Sequence, residues 1–333
     1  MSGALISAPP AEASDDVPRA IVSRPARADL IFRGTLRGAG LSVFVITGMI
    51  LIFLIVRGSW ALHEEGLSFL TKQNWIFTGD DFGIGGILPD GILIAVIAMV
   101  VAVPVALATA IFISEYAPPR LRRPLIAVID LMAAIPSIIY GIWGRFFLMP
   151  RAVGTMSWLA RHVSWFPPFK ITVPTSPSTF VGSPVIAGLV VSLMAIPIIT
   201  SLSREVFSQA PQGEREAAYA LGSTRWGMVR TVVLPFGRAG VVGAAMLGLG
   251  RALGETIAVL LIITPVYTFN WHAVQSGGNS VAALIALVWS VATAHMLSAL
   301  MAAGLTLFAI TLIVNSLAAI VINRSRSGAA TAD

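Results

Sequence analysis

The chain contains no cysteine, so disulfides, thiolate metal sites and cysteine nucleophiles are excluded, although this says nothing of the redox compartment. Charge is nearly as scarce. Asp, Glu, Lys and Arg make up 11% of the 333 residues, against roughly 25% in an ordinary soluble domain. Hydrophobic residues reach 56%, and the mean hydropathy is +0.85. Too few charges remain to clothe a water-exposed surface, so most of the surface must face lipid or other helices. Histidine occurs four times and scattered. There is no HExxH pair, no catalytic-triad spacing and no GxxxxGK[ST] loop. The sequence therefore offers no metal site, no ATP site and no bound cofactor of its own, and an enzyme is the weakest reading. Lysine is almost absent, two residues against twenty arginines, which reads as base-composition bias rather than chemistry. The net charge of +6 sits mainly at the ends of apolar runs, where membrane topology explains it better than nucleic acid does.

What is present is a series of long, unbroken apolar runs, so the expected fold is all-α, a polytopic helical bundle rather than a barrel of alternating strands. Residues 1–35, rich in Ala, Pro, Ser and Asp at their start, read as a disordered cytoplasmic tail without a secretory signal. Six spans are expected, at about 41–56, 92–113, 124–149, 184–202, 232–263 and 297–322. Together they form a permease-like domain over 36–326, and 327–333 form a second tail. Pro104 should kink its span, Pro136 opens or kinks the third, and Pro197 lies inside the fourth. Residues 150–182 read as a polar, Pro-rich loop. The apolar stretch Val281–Ala292 is too short to cross and suits an interfacial or re-entrant helix. Arginine concentrates in the segments at 115–123 and 204–231 and at the chain ends, which places both termini in the cytoplasm of a bacterial cell. Arg145, Arg151, Arg161 and Lys170 depart from that pattern. Arg145 and Arg151 read as headgroup anchors more readily than as an anion-attracting mouth.

The stretch Glu216-Ala217-Ala218-Tyr219-Ala220-Leu221-Gly222, followed by Val232, Leu234 and Pro235, reads as a short helix ended by Gly222 in a left-handed conformation. Ser223 or Thr224 can cap a second short helix. Ala217 and Ala218 would let a partner surface approach, and Glu216 would offer it a charge. An ordinary amphipathic loop would look similar. The pattern resembles the EAA loop of ABC importer permeases. The stretches 133–144 (Ala133-Ala134-Ile135-Pro136-Ser137 onward, with Tyr140 and Trp143) and 248–256 (Gly248-Leu249-Gly250-Arg251-Ala252-Leu253-Gly254-Glu255-Thr256) resemble signatures of phosphate permease subunits of the PstC family. Ser114–Pro118 fits the same family, and the resemblance covers most of residues 90–322.

This resemblance implies a type I ABC importer permease of MetI-like fold, with Glu216, Ala217, Ala218, Leu221 and Gly222 coupling it to an ATPase. It implies a homologous permease partner (PstA-like), two ATP-binding subunits (PstB-like) and an extracytoplasmic phosphate-binding protein (PstS-like), with ATP bound by the partners. Read alone, Arg251 and Glu255 are four residues apart on one helix face and able to pair. In mid-membrane they mark either a substrate route or a structural ion pair. Ser137 and Tyr140, beside Pro136, either line the route or belong to a packing kink. Asp130 reads as structural and His295 as a polar residue at a helix end. A permease for sulfate or molybdate remains open, and so, less readily, does a secondary transporter, although no internal repeat is visible.

Overall fold

A computed structural model describes residues 27–173 and 176–326. The chain divides into two units at Ile50/Leu51. In the first, residues 27–50 are helical and almost entirely exposed. The helix α1 runs Arg27–Glu64, so residues 27–35 are helical where a tail was expected, while 1–26 and 327–333 lie outside the described residues.

The second unit is built around α3 (Ile87–Ile111) and α7 (Pro184–Ser208). Their seam follows from residue size. Ala98, Ala102, Ala106 and Ala110 recur every four residues and are fully buried, a small-residue stripe of the kind that lets two helix backbones come close. Opposite it stand Ile186, Ala187, Val190, Val191 and Ile199. A Cβ at Gly188 would lie 2.6 Å from Ile97 Cγ2 and 3.1 Å from the Ile94 carbonyl. Thr200 Oγ1 donates across the seam to the Ala106 carbonyl at 3.4 Å.

Among the described residues five helices are long and apolar enough to cross a membrane, and a bent pair makes a sixth if it counts as one span. That pair corrects the expected third span at 124–149. Helix α4 (Pro119–Ala134) ends before Pro136, and α5 (Ser137–Trp143), a π turn at Gly144–Leu148 and α6 (Met149–His162) follow at a 91° bend. Proline has no N–H to continue the helix and forces the preceding residue out of helical ψ. Ile135 accordingly sits at ψ 126°. The helix α6 also occupies much of what was read as a polar loop.

The fifth span, expected at 232–263, is broken as well. A π turn at Val229–Val233 leads into α10 (Leu234–Leu253), which stops at Gly254; the chain resumes as α11 (Ile257–Ile262). Helix α11 packs on α5, where Gly141 leaves room: a Cβ there would lie 3.0 Å from Ala258 Cα and 2.9 Å from Leu261 Cδ1. Beyond them, α12 (Val281–Val288), capped by Ser280, is buried against α13 (Ala294–Arg326). One face of it is therefore packed, while Ala286 and Leu287 stay exposed, and it is too short to cross, as expected of an interfacial or re-entrant helix.

At the less basic end, the segment after α1 forms α2 (Ser68–Thr71) and a Trp75–Phe82 bridge, with Phe69 and Phe82 fully buried. Lys72 joins Glu65 at 2.6 Å and Asp81 at 2.9 Å. Those hydrogen bonds raise the Lys72 pKa and lower that of Asp81. The buried Asp90 carboxylate accepts the backbone N–H groups of Asn270 at 3.1 Å and Asn279 at 3.2 Å, tying the 264–280 loop to α3. His295 contacts Asp80 at 3.0 Å and stacks on Trp60, a more specific role than a polar residue at a helix end.

Gly188→Val should overfill the α3–α7 seam, costing about 1–3 kcal/mol and lowering the thermal midpoint of the purified protein. Gly154→Ala, exposed within α6 where a Cβ meets nothing within 4 Å, should raise it slightly, through up to about 1 kcal/mol of helix propensity.

Candidate functional site

The basic end of the bundle is organised by a loop between α7 and α10. Helix α8 (Gln212–Ala220) closes with Gly222 at φ +80°. The Gly222 N–H donates to Tyr219 O at 2.9 Å, and that of Ser223 to Ala218 O at 3.1 Å. Helix α9 (Arg225–Met228) begins immediately after, and the Thr224 hydroxyl accepts the Gly227 N–H at 3.1 Å. The turn is therefore built from local chemistry alone.

The orientation of α8 is not local. Ala218 is buried among Ala110, Phe207, Met228, Val229 and Val233, so it does not face outward as expected. Ala217 does, and Leu221, 88% exposed, is offered completely. Glu216 is exposed and accepts a hydrogen bond from Gln212 Nε2 at 3.1 Å. Tyr219 and Trp226 are exposed as well.

What fixes α8 in place is a pair the sequence did not reveal. Arg215 Nη1 reaches both oxygens of Glu115, at 2.9 and 2.8 Å. Its Nε and Nη2 donate to the carbonyls of Ala210 and Phe207, at 3.2 and 2.6 Å. Glu115 is buried and lies in the π turn Phe112–Tyr116 that ends α3. The guanidinium of Arg225 lies 5.0 Å from the centre of the next ring in that turn, Tyr116. Two consecutive residues at the end of α3 therefore hold both short helices of the loop. Glu115 and Tyr116 were visible as part of the Ser114–Pro118 stretch, but nothing local signals a partner 100 residues away.

The mid-bundle residues separate into two settings. Arg251 lies exposed on the last turn of α10 and makes no ion pair among the described residues. It does not pair with Glu255 as the four-residue spacing suggested, because α10 ends between them. Glu255 is buried, and its Oε1 accepts the N–H of Ala258 at 3.2 Å, capping α11. The Tyr140 hydroxyl donates to the Met132 carbonyl at 2.9 Å across the Pro136 break. Ser137 stands half-buried at the start of α5.

Arg145 donates to Leu261 O at 3.4 Å, and Arg151 covers the Phe147 ring at 3.7 Å. Among the described residues, Asp130 receives only a long contact, 3.5 Å, from Ser201. No group of three or more His, Cys, Asp or Glu able to hold a metal occurs among the described residues.

The fold is similar to that of a chain in a bacterial ABC transporter involved in the import of the acidic polysaccharide alginate, with TM-score 0.53 and 14% identity, covering 88% of this chain and 98% of that one. Crossing helices of this topology and a helical loop presented at one end define a type I ABC importer permease. The chain belongs to the family of binding-protein-dependent transport system inner membrane components, whose pattern matches residues 102–327. It is 40% identical over 307 residues to the phosphate transport system permease protein PstC 2 of Mycobacterium tuberculosis, covering 90% of this chain and 93% of that protein. The PstC proteins of Mycobacterium leprae (41% over 275 residues, 80% and 84% covered) and Mesorhizobium japonicum (38% over 319 residues, 93% and 95% covered) are similar in the same way. The chain is accordingly a multi-pass membrane subunit of an ABC transport complex that includes ATPase and binding-protein partners.

Replacing either Glu115 or Arg215 with Gln strands the other group in a buried setting, at a cost of up to about 3 kcal/mol. Amide exchange across 212–220 should rise in both variants. The double variant should be no worse than the more damaging single one, because the pair acts as one unit. Additive effects would show that the two residues act separately.

Proposed function

We propose that this chain is one of two membrane subunits of an ATP-driven importer that moves inorganic phosphate into the cytoplasm by alternating access. The observation that carries the substrate is the 38–41% identity, over most of the chain, to proteins named as phosphate permeases. Arg251 supplies a fitting chemistry. An arginine on an apolar helix, with no counter-charge among the described residues, is expected to face a cavity or another subunit, and its planar fork suits the oxygens of an oxyanion.

In this reading the partners are a PstA-like permease, two PstB-like ATP-binding subunits and a PstS-like phosphate-binding protein on the outer face. ATP is bound by those partners, and this chain carries no ATPase site and no cofactor. Both termini lie in the cytoplasm of a bacterial cell, so the basic end with α8 faces the ATPase. The exposed Glu216, Ala217 and Leu221 provide the docking surface, while Gly222 sets the reversal behind them. Closure of the ATPase pushes α8. Arg215 and Glu115 carry that displacement to α3, and α3 carries it through its seam to α7 and α10. The breaks at Pro136 and Gly254 let the centre of the bundle rearrange while the long helices stay intact. Arg251 meets the anion at those breaks, with Ser137 and Tyr140 at the edge of the same route. Glu255, spent on capping α11, holds the second break in shape.

The complete complex in proteoliposomes, with ATP inside and binding protein outside, tests this. Arg251→Ala should cut phosphate uptake roughly ten- to hundredfold, the scale of one charge-assisted contact, with the complex still assembled. Glu216→Ala should leave ATP hydrolysis running while uptake fails. Uptake by this chain without any ATPase subunit would overturn the proposal.

A further inference from the structure

Behind the Glu115–Arg215 pair lies a cavity of about 190 Å³, room for roughly six waters at ~30 Å³ each. Its polar lining consists of Ser114, Glu115, Arg122, Arg204, Ser208 and Arg215. The charge there is unbalanced: three guanidinium groups face one carboxylate, and both oxygens of that carboxylate are engaged by Arg215. Arg122 is held in place, its Nε donating to the Ile113 carbonyl at 3.1 Å and its Nη2 to that of Ser114. Arg204 is half-buried on α7 and makes no hydrogen bond or ion pair among the described residues.

Arg122 is exposed and Arg204 half-buried, so solvent reaches the pocket, but three guanidinium groups sharing it repel one another and an anion among them relieves that repulsion. The hydroxyls of Ser114 and Ser208 donate to the carbonyls of Ile111 and Glu205, at 3.3 and 2.7 Å, so the donors open to an anion are those of the guanidinium groups, which suit a tetrahedral oxyanion. The acidic groups nearest in sequence do not serve. Glu205 and Glu214 are exposed and make no ion pair among the described residues, and Glu216 is turned to Gln212 on the outer face of α8.

We propose that this cavity binds a phosphate group and that its occupant competes with Glu115 for Arg215. The occupant sits against the guanidinium that fixes α8 to α3, so binding loosens that joint and slows the coupled cycle. The inference rests on the importer reading for its consequence, and on the cavity's own geometry for its ligand. Two sources supply the same chemistry on the inner side: free inorganic phosphate, accumulating as the imported product, and the headgroup of an anionic lipid.

The complete complex in nanodiscs separates these sources. Binding-protein-stimulated ATP hydrolysis is followed as inorganic phosphate is added, in discs of phosphatidylcholine alone and of phosphatidylcholine with phosphatidylglycerol. In phosphatidylcholine the wild-type complex should lose its stimulation as phosphate rises. Arg204→Gln should need roughly tenfold more phosphate, the size of one lost charge-assisted contact, and Arg204→Lys should stay near wild type. Phosphate acting on the ATPase subunits themselves affects all three alike. An Arg204-dependent loss of stimulation in phosphatidylglycerol discs without added phosphate would identify the lipid headgroup as the occupant. Identical responses of wild type and Arg204→Gln in both discs would overturn the site. Phosphate uptake by the wild type, scored in parallel in proteoliposomes, separates the two failures. Absent uptake sinks the importer reading, whereas intact uptake with an Arg204-independent response sinks only this inference.

Discussion

Glu115 sits at the end of a long apolar helix, and its carboxylate is buried. Burial penalises an isolated carboxylate heavily, so its position is tenable only because one guanidinium meets both oxygens. That guanidinium is itself satisfied by two backbone carbonyls, from Phe207 and Ala210. The four groups lie at the end of α3, the end of α7, the turn beyond it and α8, and they form one rigid joint. Without it, α8 would be held at this end mainly by the apolar cluster around Ala218. A helix that receives force from a partner needs such a fixed, directional attachment, since apolar contact alone lets surfaces slide.

The centre of the bundle obeys the opposite logic. Both breaks, at Ile135–Pro136 and at Gly254–Thr256, interrupt spans that would otherwise run through, and broken helices are tolerated at membrane depth where the freed backbone groups line a cavity or find partners. Here the Tyr140 hydroxyl takes the Met132 carbonyl and the Glu255 carboxylate takes the Ala258 N–H. Arg251 makes no ion pair among the described residues. The joint at one end is saturated, while the centre is segmented and holds that arginine, the arrangement that the proposed transport cycle would use.

Much of this was written locally in the chain. The apolar runs announce a membrane bundle, and Gly222 and Thr224 take the left-handed and capping roles their types favour, because such chemistry needs only near neighbours. The failures share one cause. Arg251 and Glu255 look paired at four-residue spacing, yet Gly254 ends the helix between them, and only the packing of α11 on α5 decides that. The 91° bend after Ala134 exceeds the kink a proline implies. Ala218 looks like a partner-facing residue in the EAA pattern but faces its own bundle. Above all, the joining of Glu115 to Arg215 spans 100 positions, a distance that periodicity and spacing do not bridge.

The central claim is that α8 and the end of α3 move as one body. The absence of cysteine makes a direct test simple. Spin labels at Phe112→Cys, exposed on the π turn, and at Gly213→Cys, where a side chain meets nothing within 4 Å, report the distance between them by pulsed electron resonance. In the assembled transporter that distance should be the same without nucleotide and with ATP trapped. A distance that shifts on ATP binding would contradict the account, since α8 would then move without carrying α3.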